Sequence, residues 1–271
     1  MIETLRPAAV ADMFYPGPSV VLEAEVRRLL AEAKPPRLHP KVLLVPHAGY
    51  VYSGPVAASA YACLNDQRQS FRHVVLLGPA HRVPFHGLAA SSATWFETPL
   101  GRIRIDQEAL ARIAHLPQVS ISDQAHAQEH SLEVQLPFLQ QTLDDFSLLP
   151  LVVGAATTAD VAEVLELLWG GDDTLIVISS DLSHYHPYDE AQRIDRATVD
   201  AVLKLMPLQS HEQACGATPV NGLLEVARRK GVQPILLDLR NSGDTAGDKS
   251  RVVGYSAFAF CESAPAENAH G

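Results

Sequence analysis

Three stretches of this sequence place metal-binding or proton-moving side chains directly after a short apolar run. Lys41–Pro46 leads into His47-Ala48-Gly49-Tyr50, His73–Gly78 into Pro79-Ala80-His81, and Thr174–Ser179 into Ser180-Asp181-Leu182-Ser183-His184. A neutral imidazole offers one ring nitrogen to a metal while an acceptor holds the other, so converging histidines suit iron, copper or zinc. His47 and His81 do not complete a site by themselves. Cys215, in Ala214-Cys215-Gly216-Ala217-Thr218-Pro219, is a candidate third ligand. Thr218 and Pro219 read as the N-cap and first position of a helix whose positive end favours thiolate, the form that binds metal. Asp181 and His184 read as an acid/base pair in a tight turn. Glu129 and His130 either face the same pocket or cap a helix over 129–143. Tyr50 and Tyr52 are candidate pocket walls.

Taken singly, each of these histidines is as readily a hydrogen-bonded structural residue as a ligand; the shared position after a strand favours a common site. His39, His73, His115, His211 and His270 lie beside Pro, charged residues or the chain end and read as surface. Cys63, inside an apolar helical pattern, reads as a small buried hydrophobe.

A common site requires elements that bring the three clusters together. The runs 41–46, 73–78, 147–153 and 174–179 are continuous and rich in Val, Ile and Leu, the pattern of strands buried on both faces. Apolar residues at three- and four-residue steps predict helices over about 20–30, 54–63, 106–115, 129–143, 158–169, 188–205 and 219–230. The alternation predicts an α/β fold, a largely parallel or mixed sheet with helices on both faces. If the strands are parallel, their carboxyl ends share one edge, where open α/β sheets bind ligands. Two further strands are expected at 232–239 and 252–260, with a loop over 240–251. The stretch 79–105 is expected to form either a long active-site loop or a small hairpin. No repeat or linker divides the chain, so residues 1–262 are expected to form one domain and 263–271 a flexible tail.

Composition narrows the function classes. A net charge of −10 argues against a phosphate-binding surface for nucleic acid or anionic lipid. No apolar run approaches the ~20 residues of a membrane-spanning helix, and the first residues lack the features of a secretory signal. Cytoplasm is the expected location. Three cysteines without CxxC spacing fit neither a disulfide framework nor a zinc ribbon. GxGxxG, GxxxxGK[ST] and GxSxG are all absent, which disfavours a nucleotide cradle and a serine hydrolase.

The motifs PHAGYVYSG, LGPAHRVP, RIDQEAL, EHSLEVQLPFL, LVVGA, SSDLSHY and CGATPVNGLL, in this order from about Arg6 to Phe260, resemble those of the Memo family, whose bacterial members are described as protein B of the AmmeMemoRadiSam system. The resemblance implies a single α/β domain similar to the class III extradiol dioxygenases. It also implies metal ligands at His47, His81 and Cys215, and further pocket residues at Asp181 and His184. The related dioxygenases complete an iron site with a carboxylate, whereas a cysteine stands in that role here. A thiolate is softer and shifts preference toward copper. Two expectations follow. One is a metal-dependent oxidoreductase, with iron(II) foremost, copper the alternative and zinc possible, acting on a small molecule, with His184 oriented by Asp181 moving a proton. The other is a binding module for a peptide or phosphorylated ligand that uses the old enzyme pocket, within a system that includes a radical-SAM partner.

Overall fold

The computed structural model describes residues 3–262, so the expected tail at 263–271 lies outside the described residues. Along the chain the strands are β1 (Leu5–Arg6), β2 (Pro40–Val45), β3 (His73–Pro79), β4 (Leu88–Ala90), β5 (Trp95–Thr98), β6 (Gly101–Ile105), β7 (Val119–Ile121), β8 (Ser147–Val153), β9 (Thr174–Ser179), β10 (His184–His186), β11 (Val232–Asn241) and β12 (Val252–Glu262). The α-helices are α1 (Ser19–Glu32), α2 (Tyr50–Tyr61), α3 (Gln107–Ile113), α4 (Asp123–Ala127), α5 (Leu136–Thr142), α6 (Thr158–Leu168), α7 (Tyr188–Leu203), α8 (Ala217–Lys230) and α9 (Ser242–Thr245).

The continuous apolar runs form the parallel centre of the sheet, in the order β6, β8, β3, β9, β2. Both faces are covered, which is why the runs do not alternate with polar residues. Leu43, Val45, Val74, Leu76, Leu175 and Val177 pack into one core with α1, α2 and α5. Their neighbours Val42, Leu44, Val75, Leu77, Ile176 and Ile178 pack into a second core with α3, α6, α7 and α8. Beyond β2 the sheet turns antiparallel: β12 pairs with β2, and β11 pairs with β12. The result is the expected single-domain α/β architecture with a mixed sheet.

Pro150 interrupts β8 without breaking the sheet. On that edge β6 pairs no further than Leu148, and β4 begins at Val152. Pro150 falls in the gap, where no neighbouring strand requires an amide donor.

Several expected boundaries move. The helix over 129–143 is shorter: a 3-10 turn covers Glu133–Gln135, and α5 begins at Leu136 with Pro137 in its first turn. Residues 129–132 are thereby freed to lie against the sheet edge. The stretch 79–105 divides, its first part lining a cavity and its second forming the β5–β6 hairpin at the far end of the sheet. Helix α8 starts at Ala217 with Gly216 as its N-cap, so Thr218 and Pro219 lie inside it. The loop expected over 240–251 contains α9, fixed by a capping box between Asn241 and Asp244.

Candidate metal centre

Strands β3, β9 and β2 are adjacent and in register, with Leu77 opposite Ile178 and Val45 opposite Ser179. The residues following them therefore meet at one edge, and the three clusters converge. One ring nitrogen each from His47, His81 and His130 lie within 4.8 Å of one another. The sulfur of Cys215 is 3.2 Å from Nε2 of His47. Bond lengths of about 2.0–2.3 Å to zinc-like ions put ligand atoms roughly 3.5 Å apart in a tetrahedral site, so the three imidazole nitrogens would have to draw closer to share an ion, and Cys215 adjoins that group through His47.

Two glycines let the outlying segments approach. A Cβ on Gly78 would lie 2.8 Å from Ser131 Oγ and 2.9 Å from the Leu132 side chain, so glycine admits the segment that carries Glu129 and His130. A Cβ on Gly216 would meet Ser180 Cβ at 2.7 Å and the Ser179 carbonyl at 2.9 Å, so glycine brings Cys215 against the end of β9. The Gly216 amide also donates to Ser180 Oγ (2.9 Å).

Hydrogen bonds fix which nitrogen each ring offers. Ser179 Oγ donates its single proton to the Ser131 carbonyl (2.6 Å) and accepts from Gln135 Nε2 (2.9 Å). Its contact with His47 Nδ1 (2.8 Å) is therefore one in which Nδ1–H donates, leaving the Nε2 lone pair pointed at Cys215. Gln135 is held in turn by the Tyr61 hydroxyl, which donates to its Oε1 (3.0 Å), and by its own donation to the Pro46 carbonyl (2.9 Å). His81 Nδ1–H donates to Glu129 Oε1 (2.9 Å), freeing its Nε2. Glu129 also accepts from the amides of His81, His130 and Ser131. Burial works to raise its pKa, but these donors outweigh burial and hold it at about 2. His130 Nδ1 is buried without a hydrogen bond, although Glu129 Oε1 lies 3.3 Å away. Two oriented ring lone pairs beside a third imidazole with an unsatisfied nitrogen form a donor set that fits a metal cation.

Electrostatics keep His47, His130, His184 and Cys215 neutral near pH 7. Burial, reinforced by the other histidines, holds His47 well below its ordinary pKa, and burial lowers His130 to about 4 and also lowers His184. Cys215 is pushed up to about 12 by burial and by the nearby Asp181 charge. The expectation that the helix start favours thiolate is thus overturned: desolvation outweighs the end of α8. A bound cation would reverse that balance, because metal binding and thiol deprotonation are coupled.

The expected orienting of His184 by Asp181 is not seen as a hydrogen bond among the described residues. Asp181 Oδ1 instead accepts from the His47 amide (2.7 Å), so the carboxylate orients the backbone of a candidate ligand. Burial raises its pKa to about 7. The turn carrying His184 is held by Asp195, buried on α7, whose Oδ1 accepts from the Ser183 amide (3.0 Å). Tyr50 points away from the imidazoles; its hydroxyl donates to the Val134 carbonyl (2.7 Å) and its ring packs on Phe138. Tyr52 is partly exposed and lines a neighbouring groove of about 610 Å³ with Met13, Phe14 and Arg28.

A cavity of about 330 Å³ leads to the cluster, lined by His81, Arg82, Phe85, His211, Cys215 and Thr218. His211, read from sequence as ordinary surface, has its Nδ1 3.1 Å from the Cys215 carbonyl. Ser179, Gln135, Asp195 and Phe14, whose ring lies 4.5 Å from that of His130, also escape sequence reading. Ser179 alone carried a signal, as the last residue of a buried strand.

Residues 6–259 match the family model described as Memo-like protein. This chain belongs to the Memo-like family. It is 35% identical to a MEMO1 family protein of Sulfolobus acidocaldarius, over 94% of this chain and 99% of that one. It is 37% identical to a MEMO1 family protein of Aquifex aeolicus, again over 94% and 99%. A solved structure of an uncharacterized protein from Escherichia coli K12 matches with TM-score 0.48 and 13% identity, over 80% of this chain and 98% of that one. Among the described residues of this Memo-like chain, no helix is long and apolar enough to cross a membrane.

Proposed function

We propose that this Memo-like protein is a metal-dependent oxidoreductase acting on a small molecule, with iron(II) as the first candidate metal and copper as the alternative. The observation that carries this reading is the close group of three imidazoles, His47, His81 and His130, of which His47 is buried, with the Cys215 sulfur 3.2 Å from His47 Nε2. His47, His81 and Cys215 would hold the ion, and His130 stands ready as a fourth donor. Such an ion supplies Lewis acidity and one-electron chemistry to a ligand in an open position.

The chain's own groups divide the remaining work. Glu129 is committed to His81 and Asp181 to the His47 amide, which leaves the sulfur to supply the negative charge that a carboxylate supplies in related sites. Glu129 and Ser179 lock the tautomers of His81 and His47. His184, neutral near pH 7 and within electrostatic range of both His47 and His81, is the group placed to take a proton from an incoming ligand. The cavity along Arg82 and Phe85 is the route of entry.

The test is anaerobic addition of Fe(II) or Cu(I) to the apoprotein, comparing wild type with His47→Ala, His81→Ala, His130→Ala and Cys215→Ala. About one tightly held ion per chain in wild type, lost in the His47, His81 and Cys215 variants, is the expected result. Unchanged stoichiometry in every variant would remove the reading. The groove beside Tyr52 favours a second reading, a peptide-binding module in a radical-SAM-associated system. Calorimetry that detects no peptide affinity, with or without metal, disposes of it.

A further inference from the structure

The cavity of about 330 Å³ that leads to the histidines differs from the other cavities of the molecule in the charge of its walls. The chain carries 31 acidic residues against 21 Lys and Arg, and four other cavities each take at least two carboxylates into their walls. The groove beside Tyr52, for example, is lined by Asp12, Glu25 and Asp244. The walls at the histidines contain no Asp or Glu and one Arg, Arg82. Three acids lie behind these walls, and each is already bonded. Glu129 accepts from His81 Nδ1 and from three backbone amides, Glu133 is ion-paired with Arg6, and Asp181 accepts from the His47 amide.

Arg82 is exposed and forms no ion pair or side-chain hydrogen bond among the described residues. It stands close enough to His130 to oppose a proton there. An untied guanidinium offers a planar fork of donors that matches the two oxygens of a carboxylate. Arg82 follows His81 directly, with consecutive Cα atoms about 3.8 Å apart, and both line the cavity, so a molecule of a few carbons held by Arg82 also reaches the His81 ring. Val83, Pro84, Phe85 and Pro219 give the same cavity apolar walls. His211 is pinned through both ring nitrogens, Nδ1 lying 3.1 Å from the Cys215 carbonyl and Nε2 3.4 Å from Thr218 Oγ1, and so keeps the cavity in shape. The volume is about eleven times the ~30 Å³ share of a water molecule, room for a small organic acid and too little for a peptide.

We propose that this cavity takes a small organic carboxylate, with Arg82 as the specificity-determining residue that holds the acid group while the apolar walls hold the body beside His81. The proposal rests on the small-molecule reading of the same site and narrows its substrate class. Ligand pockets combine apolar walls with a few placed polar groups that fix orientation. Here that combination selects an aliphatic acid over its neutral amide, which has the shape without the charge. It also selects the acid over inorganic phosphate, which has the charge without the body.

The experiment measures butyrate, butyramide and inorganic phosphate binding by ligand-observed NMR, to apoprotein and to protein incubated with Zn(II), for wild type, Arg82→Gln, Arg82→Lys and Val83→Trp. Melting temperature is recorded for each, and the variants of the exposed Arg82 are expected to melt with wild type. Wild-type apoprotein is expected to bind butyrate about tenfold more tightly than butyramide, the scale of one charge-assisted contact. R82Q levels the two ligands, R82K keeps part of the preference, and V83W, which fills the cavity, weakens both. Equal affinity for acid and amide in wild type, butyrate binding unchanged in R82Q, or phosphate bound as tightly as butyrate overturns the proposal. So does butyrate binding that needs Zn(II) and is indifferent to R82Q, which puts the acid on the ion instead. If Zn(II) is not taken up while the apoprotein keeps an Arg82-dependent preference for butyrate, the metal centre fails and this proposal stands.

Discussion

At both ends of the parallel sheet a histidine leans on a buried carboxylate, yet the two ends differ in what is left over. At the amino end His73 Nδ1 lies 2.6 Å from Asp106, which also accepts from Ser147 Oγ (2.8 Å) and caps α3 through the Ala109 amide (2.9 Å). Nearby, the buried Lys41 ammonium donates to the carbonyls of Gly171 and Thr174. Every strong group there is used by the fold. At the carboxyl end His81 makes the same contact with Glu129, but one ring nitrogen each of His81, His47 and His130 converge within 4.8 Å, and His130 Nδ1 has no hydrogen bond. A histidine–carboxylate pair is therefore no signature of a site. Convergent donors that the fold does not consume are.

The sharpest way to break this comparison is to remove both carboxylates. Glu129→Ala should destabilise the apoprotein by roughly 3 kcal/mol or more, since it strips a buried charge from four donors, and should also abolish tight metal binding. Asp106→Ala should cost about 1 kcal/mol through the lost cap and leave metal binding untouched. Urea unfolding and metal titration of both variants check this; equal effects on metal would dissolve the distinction.

Acid should act next. His130, lowered to about 4 from 6.5, and Glu129, lowered to about 2 from 4.5, both bind protons more readily in the unfolded chain. Their contributions are complete above the unfolded values and are lost as pH falls, first between about 6.5 and 4 and then between about 4.5 and 2. Together they should cost several kcal/mol of apoprotein stability, about 3 of it from Glu129. Denaturation at pH 3 to 7 should show the slope in wild type, with its lower portion missing in Glu129→Gln.

Ser179→Ala tests orientation alone. Removing the hydroxyl that holds His47 Nδ1 should weaken metal binding roughly 10- to 100-fold with little change in fold. Asp195→Asn is the mildest change. Burial raises the Asp195 pKa to about 6, so its ionised form is a burden that grows as pH rises from about 4 to 6. Asparagine keeps the acceptor for the Ser183 amide and should stabilise by about 1–2 kcal/mol at pH 7.5, with no gain at pH 4.

How far the site was legible follows from the same physics. Strands β2, β3, β8 and β9 announce themselves as unbroken apolar runs, and their parallel order carries His47, His81 and Asp181 to one edge. The short strands β1, β4, β7 and β10 are too brief to show a period, and a bulge at Tyr185 depends on pairing with β12. His130 was readable only as a pocket wall or helix cap, because its role turns on where Gly78 lets the 129–132 segment settle. The links among Tyr61, Gln135 and Ser179 join three distant segments that no local pattern connects. For Cys215 a local rule, the helix end, pointed to thiolate, and burial reversed it.

The most direct test of the central claim is an anomalous difference map at the iron edge, from crystals grown with Fe(II) under argon. The account predicts one peak within bonding distance of His47 Nε2, His81 Nε2 and the Cys215 sulfur. A peak absent from that edge of the sheet, or seated on other residues, would contradict it.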